Sequence, residues 1–291
     1  MRALIFGTTG QVARELTLSA PDGVELTALG RGEVDLGDAM ACARAVRDSG
    51  AQVVINAAAH TAVDRAENEP ELAYAVNALA PGAMAVAAAD IGVPLLHVST
   101  DYVFDGAPGG AWTEADATGP LGVYGASKLE GEQAVAAAGG DHVILRTAWV
   151  FSAHGKNFVK TMLAYGATRD EMRVVADQFG GPTAARDIAG ALWTVARAWT
   201  EGRGQSGVFH FAGAPSVSWA DFAQAIFAAS GWPKVPQVVP ITTADYPTPA
   251  RRPANSVLDC GKIATVYGIA QPDWRPALVE VVRELSKEPA A

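Results

Sequence analysis

The sequence contains little cysteine and few basic residues. Cys42 and Cys260 are the only two cysteines among 291 residues, and such distant thiols predict reduced core residues rather than a disulfide framework or a metal site. Lys and Arg number 22 against 31 Asp and Glu, which gives a formal net charge of −9 at pH 7. Because no cluster of five or more basic residues occurs, we expect no nucleic-acid partner, although a small anionic ligand needs only a few local cations.

Long apolar runs are scarce as well. Residues 1–6 are too short and too soon interrupted to form a signal peptide, and no apolar run approaches the roughly 20 residues that span a membrane. Hydrophobic residues make up 49% of the chain and charged residues 18%, as in a globular protein. We therefore expect a cytoplasmic protein with no membrane partner, folded as one large domain or two modest ones.

A strand, a glycine turn and a helix are predicted at the start of the chain. Residues 2–6 form an apolar strand, Gly7 permits the tight turn that follows, and Gly10 lets backbone N–H groups approach a pyrophosphate at the start of the helix. Ala13 is the third small residue, where the helix must pack closely on the sheet. This order is typical of the phosphate-binding opening of a doubly wound fold; an ordinary βα turn is the alternative.

The end of the second predicted strand, residues 24–29, bears on the choice of cofactor. In a doubly wound fold an acid at this point holds the 2′-hydroxyl of NAD, whereas an Arg suits the 2′-phosphate of NADP. Arg31 follows Gly30 here, and no acid stands at the strand end. The sequence therefore favours NADPH, with NADH as the second choice and a solvated loop as the alternative interpretation of Arg31.

The third predicted strand, residues 52–56, is near-continuously apolar, as a parallel strand buried on both faces should be. It leads into Ala59, His60 and Thr61, where small residues just past the strand let a flat ligand lie against the backbone. No other histidine stands at metal-ligand spacing, so we interpret His60 as lining the site rather than as catalytic. A loop histidine with no ligand is the alternative.

A pair of side chains with the chemistry for proton transfer follows. Tyr124 and Lys128 are four residues apart, which puts them on one face of a helix, one turn apart. An ammonium there lowers the pKa of the phenol from about 10 toward the working pH. The hydroxyl of Ser99 or Thr100, just after the apolar strand 93–98, completes a proton relay to a carbonyl or an alcohol. The spacing alone is a weak signal, and a solvated helix face is the alternative.

The alternation of strands and helices predicts an α/β protein with a Rossmann-type, doubly wound parallel sheet. The strict alternation ends near Thr147, and the later part is the natural place for a smaller, mostly C-terminal substrate-binding lobe. We therefore predict a dinucleotide-binding domain over residues 1–148, completed by parts of residues 184–215. Residues 149–183 and 216–291 form the interleaved substrate lobe.

The glycine turn, the Ser/Thr after the fourth strand and the Tyr-x-x-x-Lys pair together resemble the extended short-chain dehydrogenase/reductases. Longer stretches sharpen the resemblance to one family within them, the dTDP-4-dehydrorhamnose reductases. These stretches are residues 6–12 (FGTTGQV), 56–64 (NAAAHTAVD), 99–106 (STDYVFDG), 123–125 (VYG), 146–151 (RTAWVF), 157–162 (NFVKTM) and 246–253 (YPTPARRP). They are spread over nearly the whole chain, and their combination is specific.

The resemblance implies hydride transfer from a reduced nicotinamide cofactor to the C4 ketone of a dTDP-6-deoxy-4-keto-L-sugar, the last step of dTDP-L-rhamnose synthesis for cell-surface polysaccharides. By matching position, Thr100 hydrogen-bonds the C4 oxygen, Tyr124 donates the proton, and Lys128 holds the cofactor ribose and lowers the Tyr124 pKa. The cofactor-contacting positions that match are Gly10, Gln11, Val12, Asp35, Leu36, Ala59, His60 and Thr61. The substrate-contacting positions that match are Thr100, Asp101 and Trp149.

The resemblance also bears on a late arginine pair, Arg251 and Arg252, which falls in the family's last signature. A guanidinium there would lie near the dTDP diphosphate, which it can bind in a bidentate manner. We name Arg252 as the expected contact. Loop solvation is the alternative.

A metal and a dimer are expected only in part of this family. Some members form a dimer whose subunits share Mg²⁺, held by an acid in the first helix and by acids just after a Pro-Thr turn. Glu15 stands at the first place, but Arg186 occupies an acidic ligand position after the turn, and a guanidinium repels the ion and cannot coordinate it. We therefore regard Mg²⁺ as doubtful, name no metal ligand, and expect a monomer or a metal-independent homodimer. Arg186 either pairs with Glu15, within the chain or across an interface, or both are merely solvated.

Two other functions stay open at this point. Another nucleotide-sugar 4-ketoreductase, for example one of antibiotic deoxysugar synthesis, would share the catalytic residues and differ only in pocket shape. A non-catalytic regulatory subunit of the same fold is the second. The intact set of Thr100, Tyr124 and Lys128 argues against it, because a non-enzymatic protein has no chemical need to keep all three.

Overall fold

A parallel sheet flanked by helices forms the centre of the computed structural model, which describes residues 1–107 and 109–287. The strands in chain order are β1 (Arg2–Phe6), β2 (Glu25–Leu29), β3 (Val53–Asn56), β4 (Leu95–Thr100), β5 (His142–Thr147), β6 (Val150–Phe151), β7 (Glu171–Val175), β8 (Phe179–Gly180), β9 (Thr183–Ala184), β10 (Gly207–His210), β11 (Val217–Ser218), β12 (Gln237–Ile241) and β13 (Asn255–Ser256). Among the described residues, the main sheet has six parallel strands in the order β10-β5-β4-β3-β1-β2. The predicted α/β class with a Rossmann-type sheet is confirmed.

Helices cover both faces of this sheet. They are α1 (Gln11–Leu18), α2 (Ala39–Asp48), α3 (Val63–Ala66), α4 (Pro70–Tyr74), α5 (Ala80–Asp90), α6 (Val123–Ala137), α7 (Phe158–Gly166), α8 (Ala185–Thr200), α9 (Trp219–Ala229), α10 (Gly261–Tyr267) and α11 (Trp274–Leu285). Side chains alternate between the two faces along each strand, so Ala3 and Ile5 pack in a layer with α1 and α8, whereas Leu4 and Phe6 pack with α2 and α5. Every strand of the sheet therefore ends at one common edge, where ligands bind in such folds.

The longest helical segment spans Pro70–Asp90 and joins α4, a π-helical turn at Ala75–Leu79 and α5. Within the described residues it is the one helix long and apolar enough to cross a membrane, with 21 residues and a mean hydropathy of 1.5. The expectation that no apolar run approaches this length is therefore wrong. However, 56% of its apolar window is buried in the fold, where α5 packs against α2 and α6. This burial accounts for its composition.

A third group of buried apolar residues lies outside the main sheet, in the region predicted as the substrate lobe. Its large members are Phe151, Met162, Phe222, Ile226, Phe227, Trp274, Leu278 and Val281. Leu258, Cys260, Ile263 and Tyr267 pack instead with the sheet-side layer that contains α8. Both cysteines are buried and form no disulfide. The two-domain division stays a prediction, and residue 108 of the predicted dinucleotide-binding domain and residues 288–291 of the predicted lobe lie outside the described residues.

Candidate active site

The carboxyl ends of the central strands open onto a cavity of about 970 Å³. The cavity brings together every site residue predicted from the sequence except Arg252. Its lining includes Gly7, Gly10, Gln11, Val12, Arg31, Asp35, Leu36, Ala59, His60, Thr61, Thr100, Asp101, Tyr124, Lys128 and Trp149. Lys156 also lines it and adds a cation that the sequence analysis did not single out.

The glycine turn adopts the backbone that the sequence requires. Gly7 has a φ of +115°, and a Cβ at this position would come within 3.1 Å of Ala13 Cβ, so both residues must be small. Gly10 is the extended N-cap of α1, and no side chain caps the helix. The first N–H groups of α1 are thus available to an anion, as in other phosphate-binding turns.

Gln11 links this turn to the predicted lobe. Its Oε1 accepts hydrogen bonds from Ser152 Oγ and Asn157 Nδ2, both at 2.9 Å, and its Nε2 lies 3.3 Å from Val150 O. The side chain is therefore occupied by the protein itself. A contact from Gln11 to a cofactor, which stays a prediction, would come from its backbone.

The end of β2 carries an acid as well as a base. Arg31 lines the cavity, as predicted. Glu33, however, folds back so that its Oε2 accepts a hydrogen bond from the Gly30 N–H at 2.9 Å. The expectation that no acid stands at this strand end is therefore wrong, because a tight turn returns a carboxylate that lies three residues further along the chain.

Tyr124 and Lys128 line the cavity from one face of α6, as their spacing predicted. Of the two candidate hydroxyls, Ser99 donates to Glu132 Oε1 at 2.5 Å, whereas Thr100 donates to Asp101 Oδ1 at 3.1 Å. Burial raises the pKa of Tyr124 to about 12, and the nearby Thr100 hydroxyl opposes this only in part. The lowering of this pKa expected from Lys128 is therefore not what the structure shows.

The reason lies in the contacts of Lys128. Its side chain is buried, and Nζ donates to Val98 O at 2.7 Å and lies 3.2 Å from His97 Nε2. Burial lowers the pKa of Lys128 to about 8, against an opposing effect of the Glu132 charge. The amine thus faces two groups of β4 rather than a carboxylate.

Three buried polar atoms on residues that line the cavity have no hydrogen-bond partner within the described part of the chain: His60 Nδ1, Asp101 Oδ2 and Thr147 Oγ1. Burial raises the pKa of Asp101 to about 6, although the nearby Thr100 and Ser256 hydroxyls act in the opposite direction. Unpaired buried polar groups are costly and call for an explanation. A polar ligand such as a dinucleotide or a nucleotide sugar fits this donor and acceptor set.

Trp149 forms the rim of the cavity in an uncommon conformation. Its φ is +49°, which is rare for a large residue, and its ring stacks on Trp219 with centroids 3.4 Å apart and planes 8° apart. A Cβ at Gly180 would come within 2.5 Å of the indole. The stack and the glycine together hold the ring at the rim, a strain typical of ligand sites.

Comparison with known proteins agrees with this geometry. The sequence model of the family described as RmlD substrate binding domain matches residues 1–287. The chain is 46% identical to the dTDP-4-dehydrorhamnose reductase of Sinorhizobium fredii, over 99% of each chain, and 38% identical to that of Escherichia coli K12, over 98% of each. The chain belongs to the dTDP-4-dehydrorhamnose reductase family.

Solved structures of the family share the whole fold. The dTDP-4-dehydrorhamnose reductase of Clostridium acetobutylicum superposes with a TM-score of 0.91 at 38% identity and covers 98% of this chain and 100% of its own. The Bacillus anthracis reductase, solved in complex with NADP, gives a TM-score of 0.90 at 32% identity and covers 97% of this chain and 99% of its own.

Arg252, which the family signature placed near the diphosphate, does not line the cavity. Its guanidinium binds Asp64 in a bidentate manner, at 2.7 and 3.1 Å, and also donates to Ala250 O at 3.0 Å. The hydrogen bond from Arg252 holds the pKa of Asp64 below its usual value. Arg252 therefore connects the segment 246–253 to α3 in this structure.

Glu15 and Arg186, which stand at the positions of the family's shared metal, pair with other residues than each other. Arg186 pairs with Glu280 and lies 3.9 Å from Asp187, whereas Glu15 lies 3.6 Å from His154 Nε2. Of the alternatives left open for Arg186, its pair with Glu15 within the chain is therefore wrong, and a pair across an interface stays a prediction. In the described residues, no group of three or more His, Cys, Asp or Glu side chains is arranged to hold a metal ion, and the question of Mg²⁺ stays a prediction.

Four buried polar residues around the site were not assigned a role from the sequence. Asn77, in the π-helical turn, donates to Ser127 Oγ at 3.0 Å and accepts from the His60 N–H at 2.8 Å. Asn56, His97 and Glu132 support Lys128 and its helix. The signal was a polar residue inside an otherwise apolar strand or helix, which predicts a buried hydrogen bond but not its partner.

Proposed function

We propose that this protein reduces the C4 ketone of dTDP-4-dehydro-β-L-rhamnose to dTDP-L-rhamnose with NADPH. The observation that supports it is the placement of Thr100, Tyr124 and Lys128 on one wall of a cavity that begins at an uncapped phosphate-binding turn. The relatives named as reductases of this sugar cover nearly the full chain. Neither alternative function has an observation in its favour.

The residues of the glycine turn and of the ends of β2 and β3 would hold the dinucleotide. When bound, its reduced nicotinamide supplies the hydride that reaches C4. Thr100, whose hydroxyl now donates to Asp101, would turn its hydrogen bond to the C4 oxygen and fix the carbonyl. Lys128 would hold the ribose, and Trp149 and Asp101 would contact the sugar.

Tyr124 would donate the proton that completes the reduction. The oxygen gains negative charge as the hydride arrives, and the phenol gives its proton to that oxygen, so that no free alkoxide persists. A phenol with a pKa of about 12 keeps its proton at working pH until an alkoxide forms beside it. The raised value therefore suits an acid in the direction of reduction.

Product identification tests this proposal. The protein is incubated with NADPH, dTDP-4-keto-6-deoxyglucose and a 3,5-epimerase, and the sugar is identified by NMR. We expect dTDP-L-rhamnose in stoichiometric yield with the NADPH consumed. The epimer at C4 as the main product would identify another 4-ketoreductase, and no NADPH consumption would exclude catalysis on this substrate.

We also propose a cytoplasmic location and a monomer or metal-independent homodimer. The support for the location is the pair of buried, unbridged cysteines. The support for the assembly is that Arg186 is engaged by Glu280 and Asp187 at the position where relatives with a shared metal carry an acid.

A further inference from the structure

Lys128 contacts a histidine that no step of the proposed reaction uses. His97 is fully buried in the middle of β4, and its Nε2 lies 3.2 Å from Lys128 Nζ. On the other side of the ring, Nδ1 lies 3.1 Å from Asn56 Nδ2. Burial holds the pKa of His97 well below its usual range, so the ring is neutral and carries one N–H.

One fixed donor, the backbone N–H of Ala58, sets the direction of the hydrogen bonds that run through Asn56 and His97 to Lys128. The backbone N–H of Ala58 donates to Asn56 Oδ1 at 3.1 Å, and the amide therefore turns its NH₂ group toward His97. That NH₂ donates to Nδ1, so the single proton of the neutral ring is on Nε2. Nε2–H then points at Lys128 Nζ, which can accept it only through a lone pair.

An ammonium has no lone pair, so a charged Lys128 would place two donors against each other in a buried site. If the Asn56 amide is rotated by half a turn, its NH₂ group faces the Ala58 N–H, and two donors again oppose each other. A neutral amine resolves it, because its lone pair accepts from His97 while one N–H donates to Val98 O at 2.7 Å. The last N–H is left for a ligand.

We propose that His97, oriented by Asn56, is a positioning residue that donates a hydrogen bond to Lys128 and holds it as a neutral amine in the cofactor-free enzyme. This rests on the proposed function only for its consequence, which is that the remaining N–H of the amine is the donor that holds the cofactor ribose.

The other groups that face Lys128 are consistent with this assignment. On its own helix, Tyr124 is a neutral phenol and Glu132 is neutralised by a bidentate bond from Arg146 of β5. From β4 it meets only His97 and the Val98 carbonyl. Within the described residues, no carboxylate lies within 4 Å of Nζ to hold it as an ammonium.

The proton position in His97 can be measured directly in the free protein. The chain has five histidines, and their nitrogen-15 signals are assigned by the one missing from each His→Gln variant, with His97 assigned by elimination if its own variant does not fold. We expect a neutral His97 with its proton on Nε2 at pH 9, above the Lys128 pKa of about 8. A proton on Nδ1, or on both nitrogens, would overturn the proposal. Because no cofactor is present, this result is independent of the proposed function.

Asn56→Asp is a near-isosteric variant that should reverse the direction of the hydrogen bonds between Asn56, His97 and Lys128. A carboxylate accepts from both Ala58 and His97, so Nδ1 gains the proton and Nε2 accepts from a Lys128 ammonium. In the free Asn56→Asp protein at pH 9, the nitrogen-15 spectrum should show the His97 proton on Nδ1 rather than on Nε2. The pKa of Lys128, measured from a carbon-13 lysine signal assigned by its absence in Lys128→Met, should lie higher than in the wild type by about 1 or more. A His97 proton that stays on Nε2 in Asn56→Asp would contradict the assignment.

Discussion

Lys128 and Glu132 lie one turn apart on α6 and are almost equally inaccessible, at 1% and 3% exposure, yet their surroundings are opposite. Arg146 donates to both carboxylate oxygens of Glu132, at 2.9 and 2.6 Å, and Ser99 donates a further hydrogen bond. Among the described residues, the polar partners of Lys128 are a carbonyl and a neutral ring. The first charge is satisfied by the protein alone, whereas the second is left available for a ligand and for proton transfer.

Tyr124, on the same face as Lys128, should give the largest effect. Tyr124→Phe removes only the transferable proton, and general acid catalysis contributes about 10²–10⁴-fold, so we expect kcat to fall by at least that range. NADPH affinity, measured by fluorescence titration, should stay near the wild-type value. Tyr165→Phe, at a half-exposed site outside the cavity, is the control. Near-normal turnover of the Tyr124 variant would remove this residue from the mechanism.

Loss of Arg146 should show that the Glu132 charge is structural. Arg146→Met leaves a buried carboxylate unpaired, which typically costs about 3–5 kcal/mol, measured by urea denaturation. The double variant with Glu132→Gln removes the uncompensated charge and should recover part of this loss. A loss below about 1 kcal/mol in the single variant would mean that the pair contributes no more than an exposed one.

Lys128→Met tests the other half of the comparison through pH. The pKa of Lys128 falls from 10.5 to about 8 in the folded state, so between these values the unfolded chain binds more protons and wild-type stability rises with pH. Between pH 8 and 10.5, the unfolding free energy of the wild type should therefore rise by about 3 kcal/mol relative to that of Lys128→Met. If the unfolding free energies of the two proteins, from urea denaturation, change equally between pH 8 and 10.5, burial does not destabilise the ammonium form of Lys128.

Arg31 and Glu33 extend the comparison to the mouth of the cavity, where a base faces the ligand and an acid is bound to Gly30 N–H. Arg31 is exposed, so we place its contact with a 2′-phosphate at the lower end of the range for charged hydrogen bonds, about 1.5 kcal/mol. The kcat/KM ratio of NADPH to NADH should fall about tenfold in Arg31→Ala and rise in Glu33→Gln. An unchanged ratio in Arg31→Ala would refute its role.

The smallest expected effect comes from chelation. Arg186 is already paired with Glu280 and lies near Asp187, and exposed ion pairs of this kind contribute little to stability. Exhaustive EDTA treatment should leave both activity and light-scattering mass unchanged. If it abolishes turnover or splits a dimer, and added Mg²⁺ restores either one, our interpretation of Arg186 is wrong.

Local patterns predicted the first half of the molecule well, because they act over a few residues. Asp is a preferred N-cap residue, and Asp38 caps α2 with a carboxylate that accepts from the Ala41 N–H at 2.8 Å. The apolar runs gave the parallel strands, and the Tyr124–Lys128 spacing gave their common face. Each of these depends only on backbone periodicity, which a sequence displays directly.

Contacts between distant segments could not be predicted in this way. Arg252 binds Asp64, which lies 188 residues earlier in the sequence. The Glu33 carboxylate accepts from the Gly30 N–H through a turn that the residues between them do not predict. The strands of the lobe, such as β8 and β9, have only two residues and are too short for a periodic signal. Polar partners are chosen by the tertiary fold, so the sequence identified the residues but not their pairs.

The three unpaired atoms of the cavity have a consequence for the selectivity of inhibitors. An analogue that fills the space but lacks a partner for His60 Nδ1, Asp101 Oδ2 or Thr147 Oγ1 leaves a dehydrated polar atom behind, at a cost of about 1–3 kcal/mol for each. Deoxygenated mimics of a true ligand are therefore discriminated against roughly 5- to 150-fold per missing group. Compounds that retain the hydroxyl pattern of the ligand and vary its apolar faces are the better starting points.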